Sequence, residues 1–313
     1  MIERRPLLDL LTHLMLLVGV AATCFPIWIA LVASTHPPER LSQRPLPLWF
    51  GDHGWETFST LLLTDVGQAG GVSITTMLLN SLIMAVGITV GKIAVSLTAA
   101  YAVVFFRFPF RFLCFWLIFI TLMLPVEVRI LPTYDVVAGF LKPAQAAWTW
   151  VEGDSWLSRL LGYEVVVAIP NGLLDSYWGL TLPLIASATA TFLFRQIFLT
   201  VPDELVEAAK IDGAGPWRFF VDILIPLSRT NIAALTIILF IFGWNQYLWP
   251  LLMTTDVQMT TVVMGISRML NTDTALPAWN LVMGTAILAM LPPVIVVLAM
   301  QKLFVQGLTE REK

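Results

Sequence analysis

The stretch DELVEAAKIDGAGPWRFFVDILIP, Asp203 to Pro226, sets Asp203, Glu204, Glu207, Lys210, Asp212, Arg218 and Asp222 between two long apolar runs. Its pattern predicts a helix from Thr200, as N-cap, to Lys210, with Pro202 and the acids at the positive N-terminal end. Leu205, Ala208 and Ala209 form the expected apolar side. Gly213 supplies the positive φ that a tight turn needs. Pro216 opens a second short helix, in which Trp217, Phe220, Val221 and Leu224 recur at i, i+3, i+4 and i+7, and Pro226 closes it. The expected product is a helix–turn–helix elbow. Two uses fit it: an elbow lying on lipid headgroups, or a docking surface for another protein. The acids favour docking, because cytoplasmic leaflets are anionic and surface helices there favour Lys and Arg.

The rest of the chain decides where such an elbow sits. Of 313 residues, 58% are hydrophobic and 12% charged, and the mean hydropathy is +0.81. A soluble domain carries about 25% charged residues. This composition cannot cover its own surface in water, so the expected class is an all-α integral membrane protein. Net charge −3 and the lack of any Lys/Arg block argue against a nucleic-acid partner. Cys24 and Cys114 sit in apolar runs and read as isolated small hydrophobes. His13, His36 and His53 lack metal-ligand spacing. No Ser-His-Asp or Cys-His pattern rises above chance, so the chain reads as no enzyme by itself, with no metal or cofactor of its own.

A span needs about 20 predominantly apolar residues. Six fit, at about 11–33, 74–104, 112–132, 178–199, 231–252 and 281–304. The first reads as an uncleaved anchor, its apolar run being too long for a signal peptide. Loop cations set the orientation. Eleven Lys and Arg fall on one side: Arg4, Arg5, Arg107, Arg111, Arg195, Lys210, Arg218, Arg229, Lys302, Arg311 and Lys313. Five fall on the other: Arg40, Arg44, Lys142, Arg159 and Arg268. The excess puts both termini and the elbow in the cytoplasm. The expected organisation is an anchor helix (1–34), an external loop (35–73), a five-helix core (74–304) and a cytoplasmic tail (305–313). The core includes external loop 133–177 and cytoplasmic loop 200–229. The Trp-rich outer loops at 34–72 and 133–177 predict short helices at the outer membrane surface, and 254–280 makes a third outer loop.

The elbow then carries a resemblance. Glu207, Ala208, Ala209, Gly213, Ile223 and Pro226 match, at the right spacing, the EAA loop of permease subunits of binding-protein-dependent ATP-binding-cassette importers. Ile225 stands where that pattern usually has leucine. The sequence WNQYLWPLL (Trp244 to Leu252) is similar to a Trp-Asn-acid-aromatic pattern in the fifth span of carbohydrate-type importers, with Gln246 in place of the acid. FITLMLPVEVRILPT and TLPLIASATATFLFRQIFLTVPDELVEAA resemble permease subunits of sn-glycerol-3-phosphate importers. The likeness covers nearly the whole chain except 143–172, which reads as an extra or divergent outer insert. The resemblance implies a type I importer permease fold. It further implies an ATPase-coupling helix at Glu207, Ala208, Ala209, Asp212, Gly213 and Pro226. The implied partners are a sister permease, two ATP-binding subunits that hold ATP and Mg, a periplasmic binding protein and membrane lipid. Rival readings are a neutral sugar or glycerophosphodiester as cargo, or a secondary transporter, which would show repeats or broken helices with ion-coupling acids.

Ionisable groups inside spans face cavities or partners, because lipid exposure costs several kcal/mol. Lys92 lies deep in the second span, and Arg129 near the outer end of the third, two residues from Glu127. Each is either paired or snorkelling, or lines a translocation path. On the second view Arg129 receives an anionic cargo while Lys92 holds helices together. Asn245 and Gln246 suit the same path or interhelical hydrogen bonds equally. GITVGK, Gly87 to Lys92, is one residue short of a phosphate loop and lacks the following Ser/Thr. Gly87 and Gly91 read instead as a close helix-packing face.

Overall fold

The computed structural model describes residues 6–121, 126–139, 172–271 and 277–309. Among the described residues the regular elements are helical, with one isolated antiparallel bridge between Val66 and Val72. The α-helices are α1 (Pro6–Ala33), α2 (Pro38–Leu41), α3 (Gly54–Leu63), α4 (Ile74–Phe105) and α5 (Arg111–Ile120). They continue as α6 (Val126–Gly139), α7 (Tyr177–Thr181), α8 (Ala188–Phe198), α9 (Asp203–Ile211) and α10 (Pro216–Phe219). The last are α11 (Ile225–Leu227), α12 (Arg229–Trp244), α13 (Leu248–Met253), α14 (Val262–Leu270) and α15 (Trp279–Thr309).

Among the described residues three helices are long and apolar enough to cross a bilayer: Leu10–Ala33 of α1, Ile74–Phe105 of α4 and Trp279–Gln301 of α15. The other expected spans are interrupted. The run at 112–132 divides into α5 and α6, with 122–125 outside the described residues. α6 also continues to Gly139, beyond the expected start of the outer loop at 133. The run at 178–199 breaks between a 3-10 turn (Leu182–Leu184) and α8, and the two halves bend by 49°. Pro183 offers no N–H to the carbonyl four residues back, and Ser187 caps the new helix through Ala190 N at 3.3 Å. The run at 231–252 breaks at Asn245–Tyr247, where the Pro250 ring excludes regular helix around Gln246, four residues earlier.

The chain clusters into two units, Met1–Leu78 with Val262–Pro292, and Leu79–Thr261 with Pro293–Lys313. In the first, the segment after α1 forms short helices, α2, α3 and a 3-10 turn at Gly67–Ala69. Trp28 Nε1 donates to the Leu48 carbonyl at 3.1 Å and packs edge-on against Phe50. Asn280 Nδ2 donates to Thr57 Oγ1 at 3.2 Å.

In the second unit, small residues set the close approaches. A Cβ at Gly87 would lie 2.8 Å from Thr181 Cγ2, and one at Gly91 would overlap Ile185. The two glycines therefore form the expected packing face of α4, against the broken segment α7–α8. One apolar cluster joins Met84, Ile88, Ile130, Leu180, Trp249 and Met253. Another joins Leu97, Phe194, Phe198, Phe219, Phe220 and Leu224. The cysteines Cys24 and Cys114 are free.

Candidate functional site: the elbow, the mid-span cations and the outer clasp

The elbow forms, with its details changed. α9 begins at Asp203 after Pro202, and no side chain caps it. Thr200 is not the cap, because its hydroxyl donates back to the Ile197 carbonyl at 2.7 Å. The end of α9 is a Schellman turn: Ala214 N donates to Ala209 O at 2.9 Å and Gly213 N to Lys210 O at 3.1 Å. Gly213 takes φ 72°, as that motif requires. Asp212 is the C-cap residue, its N–H on the Ala208 carbonyl at 2.9 Å.

The buried face differs from the expected one. Ala209 and Val206 turn inward, while Leu205, Ala208 and Glu207 face out. In the second limb Phe219, Phe220 and Leu224 are buried, whereas Trp217 is 71% exposed. The shift follows from an aromatic partner that the sequence pattern omits. Tyr101, near the end of α4, donates its hydroxyl to the Pro216 carbonyl at 2.7 Å and packs on Phe220 at 4.8 Å between centroids. Phe105 meets Phe219 at 5.4 Å. Nor does Pro226 close the limb. The helix widens to a π turn at Phe220–Leu224, passes Pro226 in α11 and breaks at Ser228. A proline N–H is missing for the Asp222 carbonyl, and the wider turn accommodates this. From Pro216–Leu227 into α12 the chain bends by 73°.

Glu207, Ala208, Asp212 and Gly213 thus share one exposed ridge, with Ala209 beneath it and Pro226 at the far end of the second limb. Ile211, 86% exposed, and Trp217 extend the ridge with apolar surface.

The mid-span residues are brought together in part. Lys92 is 8% exposed, and its Nζ lies 3.9 Å over the centre of the Phe242 ring. Gln246 Nε2 donates to the Phe242 carbonyl at 3.1 Å and is half-buried, while Asn245 is exposed. Arg129 is exposed on α6, next to Ile130, which packs in the same cluster as Ile88, one turn from Lys92. Its guanidinium acts electrostatically on Lys92. Arg129 is thus near enough to Lys92 for the two charges to interact. The Glu127 side chain lies outside the described residues.

A third cluster had no counterpart in the sequence reading. Asn80, 2% exposed, donates through Nδ2 to the carbonyls of Gln258 (2.7 Å) and Thr260 (3.0 Å). Tyr177 donates its hydroxyl to Asn80 Oδ1 at 2.7 Å. Beside it, Asp175 accepts from Thr255 N (2.6 Å), Asp256 N (2.8 Å) and the Thr255 hydroxyl (2.8 Å). Burial works to raise the Asp175 pKa. The bonds from Asp256 N–H and from the Thr255 hydroxyl and N–H outweigh it and hold the carboxyl below its ordinary value. The one available signal was Asn80 itself, an amide within an apolar run.

Broken apolar helices around buried polar groups, with a charged elbow on a flank, define a helical multi-pass membrane protein built for transport. Residues 92–310 match the family model described as binding-protein-dependent transport system inner membrane component, and the chain belongs to that family. Among curated relatives, the sn-glycerol-3-phosphate transport system permease protein UgpE of Agrobacterium fabrum is 50% identical over the full length of both chains. The UgpE proteins of Rhizobium meliloti and Yersinia pestis are each 51% identical, again over both full lengths. These alignments run across all 313 residues. Residues 143–172 are therefore not an extra insert relative to these proteins. A crystal structure of a bacterial ABC transporter involved in import of the acidic polysaccharide alginate shares the fold at TM-score 0.70 and 18% identity. That match covers 96% of this chain and 99% of the other.

Proposed function

We propose that the chain is a permease subunit of an ATP-driven importer for sn-glycerol 3-phosphate, forming half of the translocation path and coupling to an ATPase through Glu207–Pro226. The cargo rests on half identity, end to end, with relatives named for glycerol-3-phosphate transport. The coupling rests on one observation: the exposed ridge Glu207–Gly213 is fixed to the end of α4 by the Tyr101 hydrogen bond and the Phe105, Phe219 and Phe220 rings. A push on the ridge is thereby passed to a helix of transmembrane length.

Six spans are assigned: α1, α4, the α5–α6 run, the α7–α8 pair, α12 with α13, and α15. Both termini and the elbow lie in the cytoplasm. The working complex comprises a sister permease, two ATP-binding subunits and a periplasmic binding protein. ATP and Mg sit on the ATP-binding subunits, and this chain binds no cofactor. Asn245, Gln246 and Arg129 line the path. Broken helices alone would also suit a secondary transporter, but the breaks at Ile185–Ser187 and Asn245–Tyr247 contain no acid to couple an ion.

The test is reconstitution of the co-purified complex in proteoliposomes. Uptake of glycerol 3-phosphate should require ATP and the loaded binding protein together. Uptake of a neutral sugar or glycerophosphodiester in its place would overturn the cargo, and uptake without ATP would overturn the machine.

A further inference from the structure

We infer that Lys92 and Arg129 act together as one two-cation binding station for the phosphate group of the cargo; this deepens, and rests on, the importer reading above. Lys92 is a cation more than nine-tenths buried, and among the described residues it has no carboxylate partner. Its neighbour is the face of Phe242, at 3.9 Å. A ring face attracts a cation but does not neutralise it. Arg129 is the ionised group whose field reaches Lys92, and it is of the same sign. Two like charges this near each other in a low-dielectric span repel, and among the described residues no acid is ion-paired with either.

Such a pair is costly when empty and is relieved by an anion. A phosphate monoester carries close to two negative charges near neutral pH, because its second pKa is about 6. That matches the charge of the pair. The chemistry of the two side chains is complementary as well. The planar guanidinium of Arg129, exposed on α6, can grip two phosphate oxygens, while the ammonium of Lys92 serves as a point charge behind it. Arg129 would meet the anion first and Lys92 would hold it at depth. This differs from a purely structural Lys92, for which a buried partner carboxylate would be expected. The Gln246 amide, fixed on the Phe242 carbonyl, lies on the same residue that Lys92 covers. It supplies a neutral polar group beside the station.

The experiment uses the whole complex in nanodiscs and proteoliposomes, with Lys92→Met, Lys92→Arg, Arg129→Gln and the double neutral variant. Wild-type uptake decides the importer reading; the ratio of variant to wild type decides the station. Each neutral variant should lower the maximal rate of glycerol 3-phosphate uptake at least tenfold. ATP hydrolysis stimulated by loaded binding protein should stay within twofold, and Lys92→Arg should keep at least a third of the uptake. As a readout without transport, inorganic phosphate at 20 mM, against chloride of equal ionic strength, should raise the melting temperature of the wild-type complex (about 20 mM being chosen to exceed weak, millimolar binding). The double variant should lose that rise. Unchanged uptake in Lys92→Met and Arg129→Gln overturns the station. So does an equal phosphate shift in wild type and double variant. Dissociation of the complex in Arg129→Gln, whose side chain is exposed, also overturns it, because the cations would then be neutralised by an acid of a neighbouring subunit.

Discussion

Gly213 takes φ 72° with no atom within 4 Å of the place a Cβ would occupy. A side chain there is opposed by the backbone alone, at about 1–3 kcal/mol. Gly213→Val should therefore leave insertion and subunit yield near wild type while the ridge loses its register. Binding-protein-stimulated ATP hydrolysis should fall well before complex stability does, and equal loss of both would remove the coupling role from this turn. Asp175 gives a pH-dependent counterpart on the clasp. Its folded pKa lies below the ordinary 3.8, so its stabilisation is complete above that value and is lost as pH falls through the lower folded value. The protection factors of the Thr255 and Asp256 amides should hold at about pH 5 and fall only below about 3.8. Asp175→Asn should weaken protection at every pH and flatten the profile. The turn at Gly213 was legible because glycine is the residue that tolerates such a φ. Tyr101 was not legible: its partner, Pro216, is 115 residues away, and no local pattern encodes that pairing.

Broken helices show where hydropathy stops being informative. The runs at 178–199 and 231–252 are continuous in composition but not in backbone, since a window average registers apolarity and not a missing donor. Pro250 marked the second break, four residues upstream of it, whereas the first lies just past Pro183, after a 3-10 turn and before the Ser187 cap. The Gly87–Gly91 face was legible, because small residues four apart on an apolar helix have one common use. Legibility also failed at Asn80, whose partners lie almost 180 residues on. Its role in joining α4 to the segment at Gln258–Thr260 is open to measurement. Asn80→Leu keeps the branching of the side chain but removes its hydrogen bonds to two carbonyls and to the Tyr177 hydroxyl, at about 1–3 kcal/mol for each group that stays dry. Tyr177→Phe removes one bond and should cost only about 0.5–1.5 kcal/mol. Thermal unfolding of the assembled complex should therefore rank wild type above Tyr177→Phe, and Tyr177→Phe above Asn80→Leu. The reverse order would mean that Asn80 is not the hub of the clasp.

On the proposed orientation the clasp faces the binding protein and the elbow the ATPase. That orientation rests on eleven loop cations on one side against five on the other, together with the length of α4. Its 32 residues rise about 48 Å at 1.5 Å each, more than the roughly 30 Å hydrocarbon core. The proposed topology then has the segments flanking α4 reach opposite aqueous faces. Glu39, exposed in α2 ahead of α4, and Arg107, exposed just past its end, report those faces. In a background carrying Cys24→Ala and Cys114→Ala, Glu39→Cys should react with an impermeant maleimide added to intact spheroplasts. Arg107→Cys should react only after the membrane is opened. Labelling of both positions in intact spheroplasts would mean that α4 does not cross. The inverted pattern would place Glu207–Pro226 outside the cell, beyond reach of any ATPase, and the ridge would then belong to the binding-protein side.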